Sequence, residues 1–354
     1  MSFAVLAERV SGLARRAALL HDQGDVTNLQ DAYGYAIDRK LWDQAASLFS
    51  VDGTLELGQE GVYVGRASIR RGLNRQGPQG LRDGERNDHV YLQTLVSVAA
   101  DGRTAKARGV ELIFSAAPGG ANGELSEGTF ENSFVKQDGG WRIQSVRFYP
   151  RMIVDAATGW ARSAKPAPGP STEFPPDRRP TASYAIYPKF AVAPFHFNNP
   201  VTGRLPQYPD GVQAARPSST AVRTKAPAIR NRAELEGRLA EIEHRTATAE
   251  AYDAVENLIG AFGYGRDGAA LSDGGTSLVS QILQPVIEIA RDGRSAKIRA
   301  RLLELQNSAG GEGAWAAGVY EGTAVKQDGS WKLQTLDFGR TWTGPYPGGW
   351  ARLP

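Results

Sequence analysis

The chain has 354 residues, 41% of them hydrophobic and 22% charged, with a net charge of +3; this is globular composition, ample for a buried core in each of two domains. It contains no cysteine, which excludes a disulfide scaffold, thiolate metal ligation and cysteine nucleophiles. No apolar run reaches the roughly 18 residues that span a bilayer, and Glu8 and Arg9 stand where a signal peptide would be apolar, so the expected location is the cytoplasm.

Residues 3–22 place Phe3, Leu6, Val10, Leu13 and Ala17 at helical spacing, and Asp25 and Thr27 are acceptable caps for a second helix. Leu41, Ala45, Leu48 and Phe49 predict a short third helix over 41–50, ended by Asp52-Gly53. GTLELG (53–58) and GVYVG (61–65) read as a hairpin, followed by a helix over 66–76. Long strands are expected at 89–99, 103–116, 124–137 and 141–152, separated by Gly-rich turns. Helices followed by an antiparallel meander imply an α+β domain with a curved sheet wrapped around its helices. Arg66, Arg70, Arg71, Arg75, Arg82 and Arg86 form a basic cluster, read as a solvated helix face rather than an anion site. Segment 153–229 holds 13 of the 20 prolines, but also Tyr184, Tyr187, Phe190, Phe195, Phe197 and Tyr208. So aromatic a stretch is expected to be an ordered strap over 184–203, its phenylalanines largely buried, with a flexible tail at 210–230.

The chain then repeats itself. DGRTAK (101–106) returns as DGRSAK (292–297), VKQDGGWRIQ (135–144) as VKQDGSWKLQ (325–334), and VTNLQDAYGYAID (26–38) as VENLIGAFGYGRD (255–267). Asn28 precedes Asp101 by 73 residues but Asn257 precedes Asp292 by 35, so the second copy is 38 residues shorter. It is expected to keep a helix near 232–265 and strands at 281–290, 294–306, 314–327 and 331–341, with no equivalent of 41–80. The organisation is therefore an intact catalytic domain (1–152), a connecting strap (153–229) and a truncated, structural domain (230–354).

Polar residues confined to the intact copy are the candidates for chemistry. Tyr33, His89, Glu111 and Arg147 become Phe262, Ser280, Leu302 and Asp337, whereas Asp38, Tyr35 and Glu131 persist as Asp267, Tyr264 and Glu321. His89 can exchange a proton near neutral pH, and Asp38 is the expected carboxylate that orients it. Tyr33 and Asp38 are about 140° apart around a helix, whereas Tyr35 and Asp38 share a face. Arg147 is a candidate for polarising a carbonyl or fixing an anion. Glu111 and Glu131 lie on middle strands, where a glutamate ordinarily faces water. Trp141 and Trp331 recur in both copies and are read as core. No histidine pair has metal-ligand spacing, and no dinucleotide or Walker signature is present. The expectation is acid–base chemistry with no cofactor, no metal, no nucleic acid and no membrane partner.

The runs YGYAIDRKLWDQAASLFSVDGTLEL, GVYVGRASIR, NDHVYLQ and SFVKQDGGWRIQSVRFYPRM resemble the SnoaL-like branch of the nuclear-transport-factor-2 superfamily. The resemblance covers 25–152 well and 250–342 in degenerate form. It implies two cone-shaped α+β barrels, the second truncated, and a hydrophobic small-molecule substrate. Within the branch the chain is most similar to scytalone and bile-acid 7α-dehydratases, which implies that Asp38 orients His89 and that Tyr33 and Arg147 assist. Tyr35, Trp42, Glu111, Phe114 and Glu131 are the expected substrate-binding residues; Phe114 and Glu131 fall where scytalone dehydratase has a histidine and an asparagine. The tandem arrangement also resembles lyases that release formaldehyde from lignin-derived diaryl diols. The resemblance thus implies a lyase eliminating water or formaldehyde from an aromatic hydroxylated molecule, with an isomerase, an epoxide hydrolase or a non-catalytic binding or assembly protein as alternatives. Homo-oligomerisation, most simply a dimer, is a further expectation.

Overall fold

The computed structural model describes residues 2–159, 162–189, 191–204, 206, 228–270, 277–307 and 313–346. The chain forms two compact units, one of Asp25–Lys225 and the other of Met1–Gly24 together with Ala226–Pro354. Residues 1–24 thus group with the second sequence copy.

A single helix, α1 (Phe3–Asp38), replaces the two helices expected at the start. Gly24 does not interrupt it, since a mid-helix glycine costs only about 1 kcal/mol, and a Cβ there would meet the Tyr252 ring at an ordinary 3.6 Å. After α2 (Trp42–Ser47), Phe49 is already the first residue of β1 (Phe49–Leu57), earlier than the Asp52-Gly53 stop suggested. The elements β2 (Val62–Val64) and α3 (Arg66–Leu73) follow, and a short 3-10 turn over Asn74–Gln76 completes the expected 66–76 segment. The long strands are β3 (Arg86–Val98), β4 (Thr104–Ala116), β5 (Glu124–Gln137) and β6 (Gly140–Asp155). They form one six-stranded sheet in the order β2-β1-β6-β5-β4-β3. The meander is antiparallel as expected, but β1 joins β6 in parallel, so the segment before the meander closes its far edge. Tyr33, Ile37, Trp42, Phe49, Leu55, Ile69, Phe130, Phe134 and Ile143 are buried in one core cluster.

The second unit carries α4 (Arg232–Ala270) and strands β7 (Ser277–Ile289), β8 (Ser295–Asn307), β9 (Gly313–Gln327) and β10 (Ser330–Tyr346), in the order β10-β9-β8-β7. The protein therefore contains two α+β domains of one fold; among the described residues the second sequence copy is reduced to one helix and four strands, joined in its compact unit by the part of α1 that precedes Asp25. The copies share backbone detail. Each first long strand carries a β-bulge, with Gln93 (φ 52) in β3 and Gln284 (φ 51) in β7 in the left-handed region. A Cβ at Gly128 would fall 2.5 Å from the Phe148 ring, and one at Gly318 would overlap the Phe338 ring; in both sheets glycine admits an aromatic from the next strand.

The strap follows the first unit closely. Asp177 accepts from the Val64 amide at 2.7 Å, Thr181 N donates to Glu56 at 2.6 Å, and Tyr187 N donates to Arg151 O at 2.7 Å. Ile186 and Ala193 are buried, while Phe195 and Phe197 are only half-buried, packed edge to face on each other. The Arg108 guanidinium lies over the Phe195 ring at 3.9 Å, so this phenylalanine packs at the sheet surface and stays less buried than expected. Phe190, Tyr208 and almost all of the 210–230 tail lie outside the described residues. No helix among the described residues is long and apolar enough to cross a membrane.

Candidate active site

The curved sheet of the first unit encloses a cavity of about 480 Å³, the size range of small-molecule sites. Its walls are Tyr33 and Ile37 from α1, His89 and Tyr91 from β3, Glu111 and Ile113 from β4, Phe130 and Asn132 from β5, and Val146 and Phe148 from β6. The alternation of side chains along a strand puts these residues on one face.

His89 is 5% exposed and Glu111 7%. The imidazole Nδ1 stands 2.5 Å from Glu111 Oε1, while Nε2 is buried without a hydrogen-bond partner among the described residues. A carboxylate only accepts, so Nδ1–H donates to Glu111, which in the neutral tautomer leaves the lone pair on Nε2. The site thus offers an oriented imidazole, with a buried carboxylate behind it to stabilise the cation formed on proton uptake. The expectation that a strand glutamate faces water is corrected for Glu111, which sits on the concave face.

Asp38 occupies a different place from the one sequence suggested. It is 3% exposed, and its Oδ1 accepts from the backbone N–H of His89 at 2.7 Å. It anchors the strand that carries the histidine, and the carboxylate at the ring nitrogen is Glu111. Tyr33 does line the cavity. It packs edge to face on Phe49 at 5.8 Å, and burial, reinforced by the Glu111 charge, pushes its phenol well above the usual tyrosine range. A tyrosine so placed stays protonated and can donate to an oxygen of a bound molecule.

The remaining expected site residues do not reach the cavity. Arg147 alternates with the lining residues Val146 and Phe148 and turns to the convex face, where its Nε meets Glu56 at 3.1 Å. Glu131 also faces outward, paired with Arg108 and with His196 Nδ1 at 2.8 Å. The second copy repeats this cross-strand pair as Arg299–Glu321, marking it as structural. Phe114 lies between the lining residues Ile113 and Ser115 and is turned away from the cavity. Trp42 is fully buried in the core and donates Nε1–H to Gly77 O at 3.0 Å. Tyr35 is buried on a side of α1 that does not line the cavity.

Several lining residues carried no sequence signal. Lys40, 3% exposed with φ 51, binds Glu85 at 2.5 Å and Gln76 O, fixing the loop at the mouth of the cavity. Asn87 Nδ2 donates to Ile37 O at 2.9 Å, and Asn132 Nδ2 to Gln30 at 2.8 Å. Glu60 lines the cavity against Arg75, and burial pushes its carboxyl up to about 7 despite that guanidinium. The arginine cluster is not a free solvated face: Arg66 donates to Phe49 O at 2.7 Å, Arg70 meets Asp43 at 2.5 Å, and Arg71 meets Asp177 at 3.0 Å. Among the described residues no three His, Cys, Asp or Glu side chains gather where they could hold a metal ion.

The family model described as SnoaL-like domain matches residues 18–147 and 240–337. No curated protein sequence matches the chain. Similar solved structures include a scytalone dehydratase-like protein of Novosphingobium aromaticivorans, 19% identical over 42% of this chain and 91% of that one, with a TM-score of 0.33. An NTF2-like protein with a cystatin-like fold from the same organism is 23% identical over 39% and 86%, with a TM-score of 0.31. ActVI-ORFA of Streptomyces coelicolor is 19% identical over 36% and 94%, with a TM-score of 0.32.

Proposed function

The chain belongs to the SnoaL-like domain family of the NTF2-like superfamily, and from that premise we propose that its first unit is an acid–base lyase acting on a hydrophobic, hydroxylated aromatic small molecule. The observation that carries this reading is the His89 imidazole, held by Glu111 at 2.5 Å and presenting an unpartnered Nε2 in a largely apolar cavity. Nε2 takes a proton from the substrate, Glu111 stabilises the imidazolium, and Tyr33 donates a hydrogen bond to the oxygen on which negative charge develops. Elimination then expels hydroxide, which leaves as water with the proton returned by the imidazolium. From a 1,3-diol, removal of the terminal hydroxyl proton with C–C cleavage releases formaldehyde instead, and the electron pair left on the central carbon expels the other hydroxyl as hydroxide, which the imidazolium protonates to water, leaving an alkene. The apolar walls Phe130, Phe148 and Tyr91 suit an aromatic substrate.

The test is to incubate the protein with hydroxylated aromatic compounds, lignin-type diaryl diols included, and follow loss of about 18 mass units (water) or about 48 (formaldehyde with water) by mass spectrometry, a readout that rests on the stoichiometry above. The reading expects turnover that His89→Ala lowers at least about a hundredfold. Rearrangement without mass loss would reassign the same dyad to an isomerase, and gain of water to an epoxide hydrolase. Tight binding without turnover, unaffected by His89→Ala, would leave a binding protein.

A further inference from the structure

The second copy did not simply lose the polar groups of the first; it moved them. Tyr33, His89 and Glu111 are matched by Phe262, Ser280 and Leu302, while the apolar cavity residues Ile37, Ile113 and Phe130 are matched by Arg266, Glu304 and Tyr320. The equivalence holds in the sheet as well as the sequence, because His89 pairs with Ile113 across β3 and β4 and Ser280 pairs with Glu304 across β7 and β8. The three new residues form one cluster. Glu304, 1% exposed, accepts from Arg266 at 2.6 Å, from Ser280 Oγ at 3.1 Å and from Gln306 Nε2 at 2.8 Å. Tyr320 stands within the electrostatic reach of both Arg266 and Glu304, and burial raises its phenol above the usual range, so it remains a donor.

Two donors in this cluster have no acceptor among the described residues: the buried Tyr320 hydroxyl and Arg266 Nε–H. Tyr320 is only 3% exposed, and a buried polar group left unsatisfied costs about 1–3 kcal/mol. Phe262 at 5.4 Å and Phe338 at 4.8 Å flank its ring. The cluster is not sealed, because the Arg266 side chain is 35% exposed and Phe338 39%. Since Glu304 already neutralises the guanidinium, the two orphan donors match a neutral acceptor better than an anion.

We propose that the second unit holds a ligand site of its own, in which Tyr320 O–H and Arg266 Nε–H receive the carbonyl oxygen of an aromatic or alicyclic ketone, aldehyde or ester seated against Phe262 and Phe338. It binds without the proton chemistry of the first cavity, since Ser280 and Leu302 replace the imidazole and its carboxylate.

The experiment is 19F NMR of the full-length protein titrated with 4-fluoroacetophenone. A bound signal is expected whose affinity falls at least about fivefold in Tyr320→Phe and in Arg266→Met, the loss of one hydrogen bond to a carbonyl. That signal is expected to be unmoved in His89→Ala, which perturbs only ligand in the first cavity. Near-ultraviolet circular dichroism identifies any variant that fails to fold, and the other variant then decides. Absence of any bound signal responsive to Tyr320→Phe or Arg266→Met overturns the proposal. So does a responsive signal that His89→Ala shifts equally, which places the ketone in the first cavity.

Discussion

His89 and Glu111 approach across adjacent strands two residues out of register. His89 pairs with Ile113 and Glu111 with Tyr91, so the ring and the carboxylate meet diagonally at 2.5 Å. The diagonal lets a long side chain reach past its direct neighbour. Glu111→Gln keeps the length and loses the charge that stabilises the imidazolium. It is expected to lower kcat by about ten- to a hundredfold with little change in KM, and steady-state kinetics on whichever substrate the mass screen finds will show this.

Asp38 acts through the backbone. Asp38→Ala leaves the buried His89 N–H without this acceptor and is expected to cost about 1–3 kcal/mol in urea unfolding. Asp38→Asn, which keeps a carbonyl oxygen at the same place, is expected to recover most of that stability. Equal losses in the two variants would show that the charge matters rather than the acceptor.

Glu60 gives the first unit a pH signature. Its carboxyl is raised from 4.5 to about 7 by burial, so the folded state holds the proton more tightly than the unfolded chain. Stability from this group is full below about 4.5 and falls as the pH rises towards 7, by about 1.4 kcal/mol for each unit of displacement at most. Glu60→Gln is expected to flatten unfolding free energy against pH between 4.5 and 7. An unchanged slope would exclude Glu60 as its source.

Arg147 is a test of face. Because it meets Glu56 on the convex side and is 38% exposed, Arg147→Gln is expected to leave kcat within about threefold and to cost under about 1 kcal/mol of stability. A hundredfold loss of turnover at unchanged stability would mean that it reaches the substrate.

Most of the architecture was legible because turns at Asp101-Gly102 and Asp138-Gly139, and their repeats, fix where long strands begin and end. The parallel β1–β6 pairing was not, since nothing local in 49–57 says which distant strand it joins. The site was half legible. Loss of Tyr33, His89 and Glu111 in the second copy pointed to the cavity, but the same loss at Arg147 pointed to the convex face. In Val110-Glu111-Leu112-Ile113, apolar residues stand on both faces, so alternation could not tell which way the glutamate turned. Lys40 was invisible because its importance comes from Glu85 and Gln76, brought near only by folding.

The extra residue that both copies carry in their first long strand divides that strand into two reading frames. Before Gln93 the inward side chains are odd-numbered, Asn87, His89 and Tyr91; after it they are even, Val96 and Val98. In the other copy the parity runs the opposite way, from Ser280 and Ile282 before Gln284 to Ile287 and Ile289 after it. Deleting Gln93 would therefore not shorten the strand harmlessly. It would exchange the lining and the outer coat over half its length, either carrying His89 out of the cavity or turning Val96 and Val98 out of the core.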